Sequence, residues 1–447
     1  MNDLFFDIAV IGGGASGLMA ALAAHDKNPA LKIGVLERLP RVGKKLMATG
    51  NGRCNLTNVN ASAADYHGDI AFMESAMRRF PPRVVMERFQ TYGVYPTVED
   101  DGRVYPLSGQ ASSVLDALRL SLAERGVAEI CEFEAASLER AGKDWRVRAK
   151  DGREALAKRV IVAVGGMTAP SLGGSASGYR LLEALGHKVT PRLPALVQLK
   201  TDPAAVRPLK GIRYDGQIDM LVDGRLIRSE TGEVLFTEYG LSGIAVMQLS
   251  RVASAALARR DKPEVTARLH ILPLSEAETV ALLTERRSQL PARPLENFLT
   301  GLVNKRLGQT LIKLACPLPL STPASALTDG HLSALAALLA GWTLPIIGTQ
   351  GFEQAQVTAG GVKTADFNPD TMASRLAPGV YVTGELYDID GDCGGFNLQW
   401  AWASGLAAGE AAARPEANGE WGMGNSSLID NAAEAAYLIR RCAPPSP

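Results

Sequence analysis

The sequence predicts an α/β fold in which one parallel sheet is assembled from both ends of the chain, around an inserted β-rich and helical domain. Three observations predict it. Residues 6–11 are a short apolar run that leads through a glycine-rich turn, 12–17, into the small-residue helical stretch 18–24 and a second strand, 32–37. Far downstream, residues 380–383 are another buried strand, ending at Gly384 and followed by a long small-residue helix from about Asn397 to Ala412. Between them, the texture changes around Pro191 and Pro194 to strands and then helices, and the chain rejoins the first domain near residues 342–347.

Composition bounds the reading. The 447 residues allow two or three domains with ample core. Lysine plus arginine and aspartate plus glutamate both number 47, so the net charge is zero and gives no global case for nucleic acid as partner. Glycine reaches 45 residues, above its usual share of about 7%, which points to tight turns or close backbone approach to a ligand. Cys54, Cys131, Cys316, Cys393 and Cys442 are scattered without a CxxC pair, which argues against a disulfide framework or structural zinc and fits a reducing, cytoplasmic compartment. Residues 8–24 carry no charge, but the flanking Asp3 and Asp7 and the internal glycines argue against a signal peptide or membrane span.

The elements follow in order. The strand 6–11, the glycine turn, the helix and the strand 32–37 form one βαβ unit. The polar, glycine-rich segment 41–58 is a loop, and residues 112–125 carry a core-facing helical stripe. Residues 127–164 read as a three-stranded meander, with Asp151-Gly152 as hairpin signal, followed by another buried strand within 159–166. In the insertion, residues 195–200 and 233–237 are strands, with Asp215-Gly216 and Asp223-Gly224 as turns. Ser275-Glu276-Ala277-Glu278 is a capping box opening a helix to about Gln289, and 295–315 and 331–340 continue the helical theme. The expected division is 1–190, 191–345, 346–413 and a loosely held tail, 414–447.

The glycine turn carries chemistry. Gly12 permits the sharp turn out of the strand, Gly14 lets the backbone approach a pyrophosphate, and Gly17 packs the helix against the sheet. The first helical N–H groups, at Ala15 and Ser16, then face phosphates with the positive end of the helix dipole. Glu37 stands 20 residues after Gly17 at the end of the next strand, where a carboxylate binds ribose hydroxyls. It repels a 2′-phosphate, so the nucleotide is FAD or NAD rather than NADP, although adjacent Arg38 could weaken that discrimination.

Features elsewhere favour FAD. Tyr381-Val-Thr-Gly384-Glu385 resembles the late strand end of the glutathione-reductase-like Rossmann arrangement, whose acid meets the ribityl and pyrophosphate region. Residues 388–399, with Gly394, Gly395, Phe396 and Asn397, then open a helix whose N-terminus favours negative charge at the flavin pyrimidine edge. In the loop 41–58, Lys44, Lys45 and Arg53 can neutralise phosphates, while Asn51, Gly52, Asn55 and Thr57 lie in the stretch that supplies hydrogen bonds along the cofactor. Gly165 and Gly166, ending the buried strand, belong to the same cofactor site.

These motifs, together with residues 43–58, 232–243, 357–362 and 384–399, resemble the BaiN/YhiN-like family of FAD-dependent oxidoreductases, within the fumarate-reductase-like flavoprotein superfamily. The resemblance spans the chain to about Ala413 and implies a discontinuous FAD domain, an inserted β-barrel-like domain with a helical subdomain, and a flavin at their junction. Relatives often carry an acid after the double glycine; residues 172–178 here read Leu-Gly-Gly-Ser-Ala-Ser-Gly, so no role of that acid transfers.

The implied activity is NAD(P)H-driven reduction of an unsaturated small organic substrate by hydride transfer through flavin N5. Only one strong dinucleotide fingerprint is present, so NAD(P)H is a transient donor. Tyr239 is either a proton donor to the reduced double bond or a packing residue. Cys54 and Cys393 both sit in flavin-adjacent motifs, yet small buried thiols are the favoured reading. The five histidines lack metal-ligand spacing, so no metal is expected, and at most one of Trp400 and Trp402 approaches the flavin. Two alternatives stay open: a dehydrogenase or oxidase passing electrons to oxygen or a quinone, and a non-catalytic flavin-binding sensor or interaction protein.

Overall fold

The computed structural model describes residues 4–415. The N-terminal unit is β1 (Leu4–Ile11), α1 (Ala15–Lys27) and β2 (Ile33–Leu36). β1 pairs in parallel with β2 (Ile11 opposite Leu36) and with β3 (Glu154–Val162; Ile11 opposite Val162). The strand Ala128–Ile130 extends the sheet beyond β2 in parallel. From Ile8 to Ile11 every residue of β1 is buried, because helices cover both faces of such a sheet and an unbroken apolar run is then the stable sequence. One reading needs correction: the third strand of the meander and the buried strand are the same element. Residues 154–157 of β3 pair antiparallel with Asp144–Ala149, while 160–162 run parallel to the late strand Val380–Val382.

The second sheet has seven strands. Its centre is the long hairpin of β4 (Arg213–Val222) and β5 (Arg225–Phe236). The hairpin turn is Asp223-Gly224, both at positive φ (50° and 74°), which matches the right-handed twist of the strands it joins. Asp215-Gly216, expected as another turn, lies inside β4 opposite Glu233 and Gly232. Glycine is needed there for close approach, since a side chain would strike the Tyr214 ring and the His270 carbonyl.

Helix α2 (Ile244–Leu257) follows, then β6 (Val265–His270) beside β4. The capping box is present as expected: Ser275 caps the helix Glu276–Gln289 and Glu278 reaches back to it. The next long helix, Lys305–Ala315, starts later than the sequence suggests, because Asn304 caps it. β7 (Trp342–Pro345), expected to mark the return to the first domain, instead pairs with β6 in the second sheet. Two residues later Gly348–Thr349 pairs with Leu199–Lys200 at the opposite end of the strand order. Consecutive strands can occupy the two ends of one sheet only if it curls on itself, so the insertion is barrel-like. Its core, from Leu199 to Ile346, is separate from that of the first sheet.

The chain leaves and re-enters through a ribbon, Leu193–Ala195 antiparallel to Val357–Ala359. It then forms β8 (Val380–Val382), β9 (Ile389–Gly391) and α3 (Phe396–Ala412). α3 lies against α1 at backbone distance: a Cβ at Gly405 would stand 2.6 Å from the Ser16 carbonyl oxygen, and one at Gly409 would overlap that of Ala20. This close crossing explains why both helices are rich in alanine and glycine. The tail beyond residue 415 lies outside the described residues.

Candidate cofactor and substrate site

The glycine turn sorts its three glycines by what surrounds them. Gly12 holds φ at +106°, and a Cβ there would meet the Ala163 carbonyl at 2.6 Å; a Cβ at Gly17 would strike the Gly12 carbonyl. Gly14 differs: a Cβ there meets no heavy atom within 4 Å. Glu37 locks the turn, accepting hydrogen bonds from Gly13 N–H and Leu39 N–H, each 2.8 Å.

The late strand end is tied to this turn. Thr383 Oγ1 donates to Ser16 Oγ (2.9 Å), and the Gly384 N–H and carbonyl bond Ser404 Oγ (2.9 Å) and Trp400 Nε1 (3.0 Å) of α3. Glu385 accepts from Thr358 N–H (2.8 Å) and from Lys45 Nζ (2.9 Å), and Lys45 also reaches Thr168 Oγ1 (2.8 Å). Lys45, expected to neutralise phosphate, is thus already paired with a carboxylate, whereas Lys44 is exposed. Arg53, expected in the same role, bonds Glu99 (2.6 Å) and covers the Tyr105 ring at 3.9 Å.

The N-terminus of α3 is held from the other side. Gly394 and Gly395 adopt φ of +146° and +98°, and a Cβ at Gly395 would crowd the Thr57 carbonyl and stand 2.8 Å from Asn55 Oδ1. Asn397 clamps both backbone groups of Gly391, at 2.7 and 2.8 Å. Thr57 Oγ1 donates to Gln399 Oε1 (2.7 Å), and Tyr66 donates to the Phe396 carbonyl (2.9 Å). Asn55 Oδ1 is buried without a partner.

These segments enclose a cavity of about 630 Å³. Gly12, Gly14, Ala15, Ser16, Glu37 and Arg38 line it, as do Lys44, Lys45, Asn51, Asn55, Gly165, Gly166 and Glu385, and so do Gly394, Gly395 and Asn397. Gly17, Gly52, Thr57, Gly384 and Phe396 do not line it, and all but the exposed Gly52 act behind the wall through the contacts above. Tyr239 is also absent from the lining: its loop closes on itself through Thr237 Oγ1, and its carbonyl accepts from Thr201 N–H within the second sheet. Trp400 lines the cavity, whereas Trp402 is fully buried and donates to the Leu56 carbonyl.

The insertion supplies Ile244 and Met247 of α2 to the same cavity, a contribution the sequence did not signal. Gln248, on that helix, accepts from Cys393 N–H at 2.6 Å. Two further links cross the junction. Asp392 forms a two-pronged pair with Arg228 of β5 (3.1 and 2.6 Å) and bonds His67 (2.9 Å), while Arg251 of α2 pairs with the buried Asp390 (2.8 Å). Burial alone would raise the Asp392 carboxyl, but hydrogen bonds from His67 and Arg228 outweigh it and hold it below the ordinary value. Burial prevails at Asp390, which is raised despite Arg251. The thiols separate too: Cys54 is buried off the cavity and pushed up to about 12, whereas Cys393 lines the cavity.

A parallel sheet closed by a glycine turn, an acid at the next strand end and a late Gly-Glu strand end define a Rossmann-type, FAD-dependent oxidoreductase. The chain belongs to the HI0933-like protein Rossmann domain family, whose model matches residues 6–411. It is 40% identical over 408 residues to the 3-dehydro-bile acid delta(4,6)-reductase of Clostridium scindens, covering 91% of this chain and 98% of that protein. It is 28% identical to the ribosomal RNA dihydrouridine synthase of Escherichia coli, covering 91% and 97%. Among solved structures, the 3-ketosteroid-delta4-(5alpha)-dehydrogenase of Rhodococcus jostii RHA1 covers 92% of this chain and 98% of its own at 15% identity and a TM-score of 0.46. No helix among the described residues is long and apolar enough to cross a membrane.

Proposed function

We propose that this protein is an FAD-dependent reductase that saturates a carbon–carbon double bond conjugated to a carbonyl in an organic molecule, with NAD(P)H as electron donor. One observation carries the reading: two relatives, matched over nearly their whole length, bear names that describe the same bond change on unrelated scaffolds. A 3-oxo steroid with Δ4,6 unsaturation and a uracil ring each lose a C=C bond in conjugation with a carbonyl.

The residues present fit FAD. Gly14 leaves open space in front of the first turn of α1, where N–H groups and the dipole favour a pyrophosphate. Glu37 is already anchored with its carboxylate on the cavity wall, suited to ribose hydroxyls, and Lys44, exposed on that wall and in no ion pair among the described residues, would supply positive charge for the phosphates. Asn55 Oδ1, buried and unpartnered, supplies an acceptor for a ring N–H, as buried polar groups require. Bound there, FAD supplies the two-electron chemistry. The protein's share is to hold the ring against Gly394 and Gly395, to exclude water with Ile244 and Met247, and to leave one face open to substrate and, transiently, NAD(P)H. In this reading residues 1–190 and the chain after the second sheet hold the cofactor, and the insertion, ending at Thr349, faces the substrate.

The test is anaerobic. NADH or NADPH is mixed with the flavin-loaded protein, and the bleached protein is then challenged with 3-oxo-Δ4,6 steroids, simple enones and uridine-containing RNA. Bleaching by a nicotinamide nucleotide and recolouring by one of these acceptors supports the reading. Bleaching only by organic donors overturns it in favour of a dehydrogenase.

A further inference from the structure

We propose that Cys393 is the acid that protonates the substrate, an inference that rests on the enone-reductase reading above. Saturating a conjugated double bond adds a hydride to the β carbon and a proton to the α carbon. The hydride traces to NAD(P)H, the two-electron reductant; the proton must come from a group on the cavity wall.

Several groups on the wall carry a proton or charge, and their places separate them. Asp392 is committed to Arg228 and His67, Glu385 to Lys45 and Thr358, and Glu37 to the Gly13 and Leu39 N–H groups. The Tyr105 ring lies under Arg53 of the early loop. Cys393 adjoins Gly394 and Gly395, against which the reading above sets the flavin ring, and its backbone N–H is held by α2 of the insertion.

Its backbone is fixed: Gln248 accepts its N–H, Asn397 donates to the Asp392 carbonyl (3.3 Å), and Asn58 donates to the Gly394 carbonyl (3.2 Å). Asn55 Oδ1, the buried acceptor assigned above to a flavin ring N–H, lies against Gly395, two residues from Cys393, and so sets the ring at this same wall. Burial raises the Cys393 thiol, which therefore keeps its proton at neutral pH, while Arg103 pulls the other way and stabilises the thiolate once the proton has left.

The balance closes. Hydride addition at the β carbon pushes the π electrons onto the carbonyl oxygen. As the C=O bond reforms, the α carbon takes the proton from Cys393 Sγ, and the thiolate then recovers a proton from water.

The experiment separates the two half-reactions in flavin-loaded protein. In Cys393→Ala, bleaching by NAD(P)H proceeds at the wild-type rate, while recolouring by the acceptor falls by roughly a hundredfold or more. Iodoacetamide applied to wild-type protein at alkaline pH, where the thiol ionises, and located at Cys393 by mass spectrometry, gives a labelled protein that reproduces that pattern at neutral pH, and bound acceptor slows the labelling; this arm holds even if the variant fails to fold. Recolouring at the wild-type rate in Cys393→Ala, equal loss in both half-reactions, or labelling that acceptor does not slow overturns the proposal. A wild-type protein that no acceptor recolours sinks the enone reading instead, so the two failures are distinguishable.

Discussion

Lys45 Nζ lies 2.9 Å from Glu385 Oε2, an ion pair between residues 340 positions apart in the chain. Both side chains are partly buried, and Glu385 also accepts the N–H of Thr358, within the ribbon that leads to the insertion. The pair therefore joins the early loop, the late strand end and the ribbon at one point on the cavity wall.

If that junction holds the cofactor site together, Glu385→Gln and Lys45→Met each weaken FAD binding by about tenfold, and their effects are not additive. A double-mutant cycle read by FAD titration should give a coupling energy of about 0.5–3 kcal/mol. Additive effects mean that the pair is an incidental contact.

The crossing of α1 and α3 leaves no room at Gly409. Gly409→Leu forces the helices apart and costs about 3 kcal/mol, whereas Ala411→Gly, at a nearby buried position on the same helix, costs about 1 kcal/mol. Urea denaturation of both variants checks the ranking.

Asp392 makes stability depend on pH. Its carboxyl sits below the ordinary value when folded, so the stabilisation is fully present above the unfolded pKa and is lost as pH falls through the folded one. Asp392→Asn should cost about 1–3 kcal/mol at neutral pH, because it weakens the bonds to Arg228 and His67. The gap between wild type and variant should close as pH falls below about 4. A gap that persists at low pH contradicts the charge-based account.

What the sequence made legible is what local rules govern. The glycine turn, Glu37 and the Ser275 capping box are read from neighbours in the chain, and the structure has each where expected. Three other features depended on distant partners. Asp215-Gly216 looks like a turn, but its glycine answers the His270 carbonyl from another strand. Lys45 looks like a phosphate ligand until Glu385 is brought beside it. Cys54 and Cys393 sit in equivalent-looking glycine-rich motifs, yet only the fold turns one into the core and the other to the cavity wall. The links from Arg228 to Asp392 and from Arg251 to Asp390 had no sequence signal, since nothing local distinguishes these from surface arginines.

The central claim is that FAD lies in the cavity closed by the glycine turn, and Gly14 tests it without disturbing the fold. Its φ of −83° suits any residue, and a Cβ there points into open space, unlike at Gly12. FAD titration of Gly14→Val, monitored by flavin absorbance alongside thermal unfolding of the flavin-free protein, should show wild-type folding and loss of flavin binding. A Gly14→Val protein that folds and still binds FAD as tightly as wild type contradicts the account.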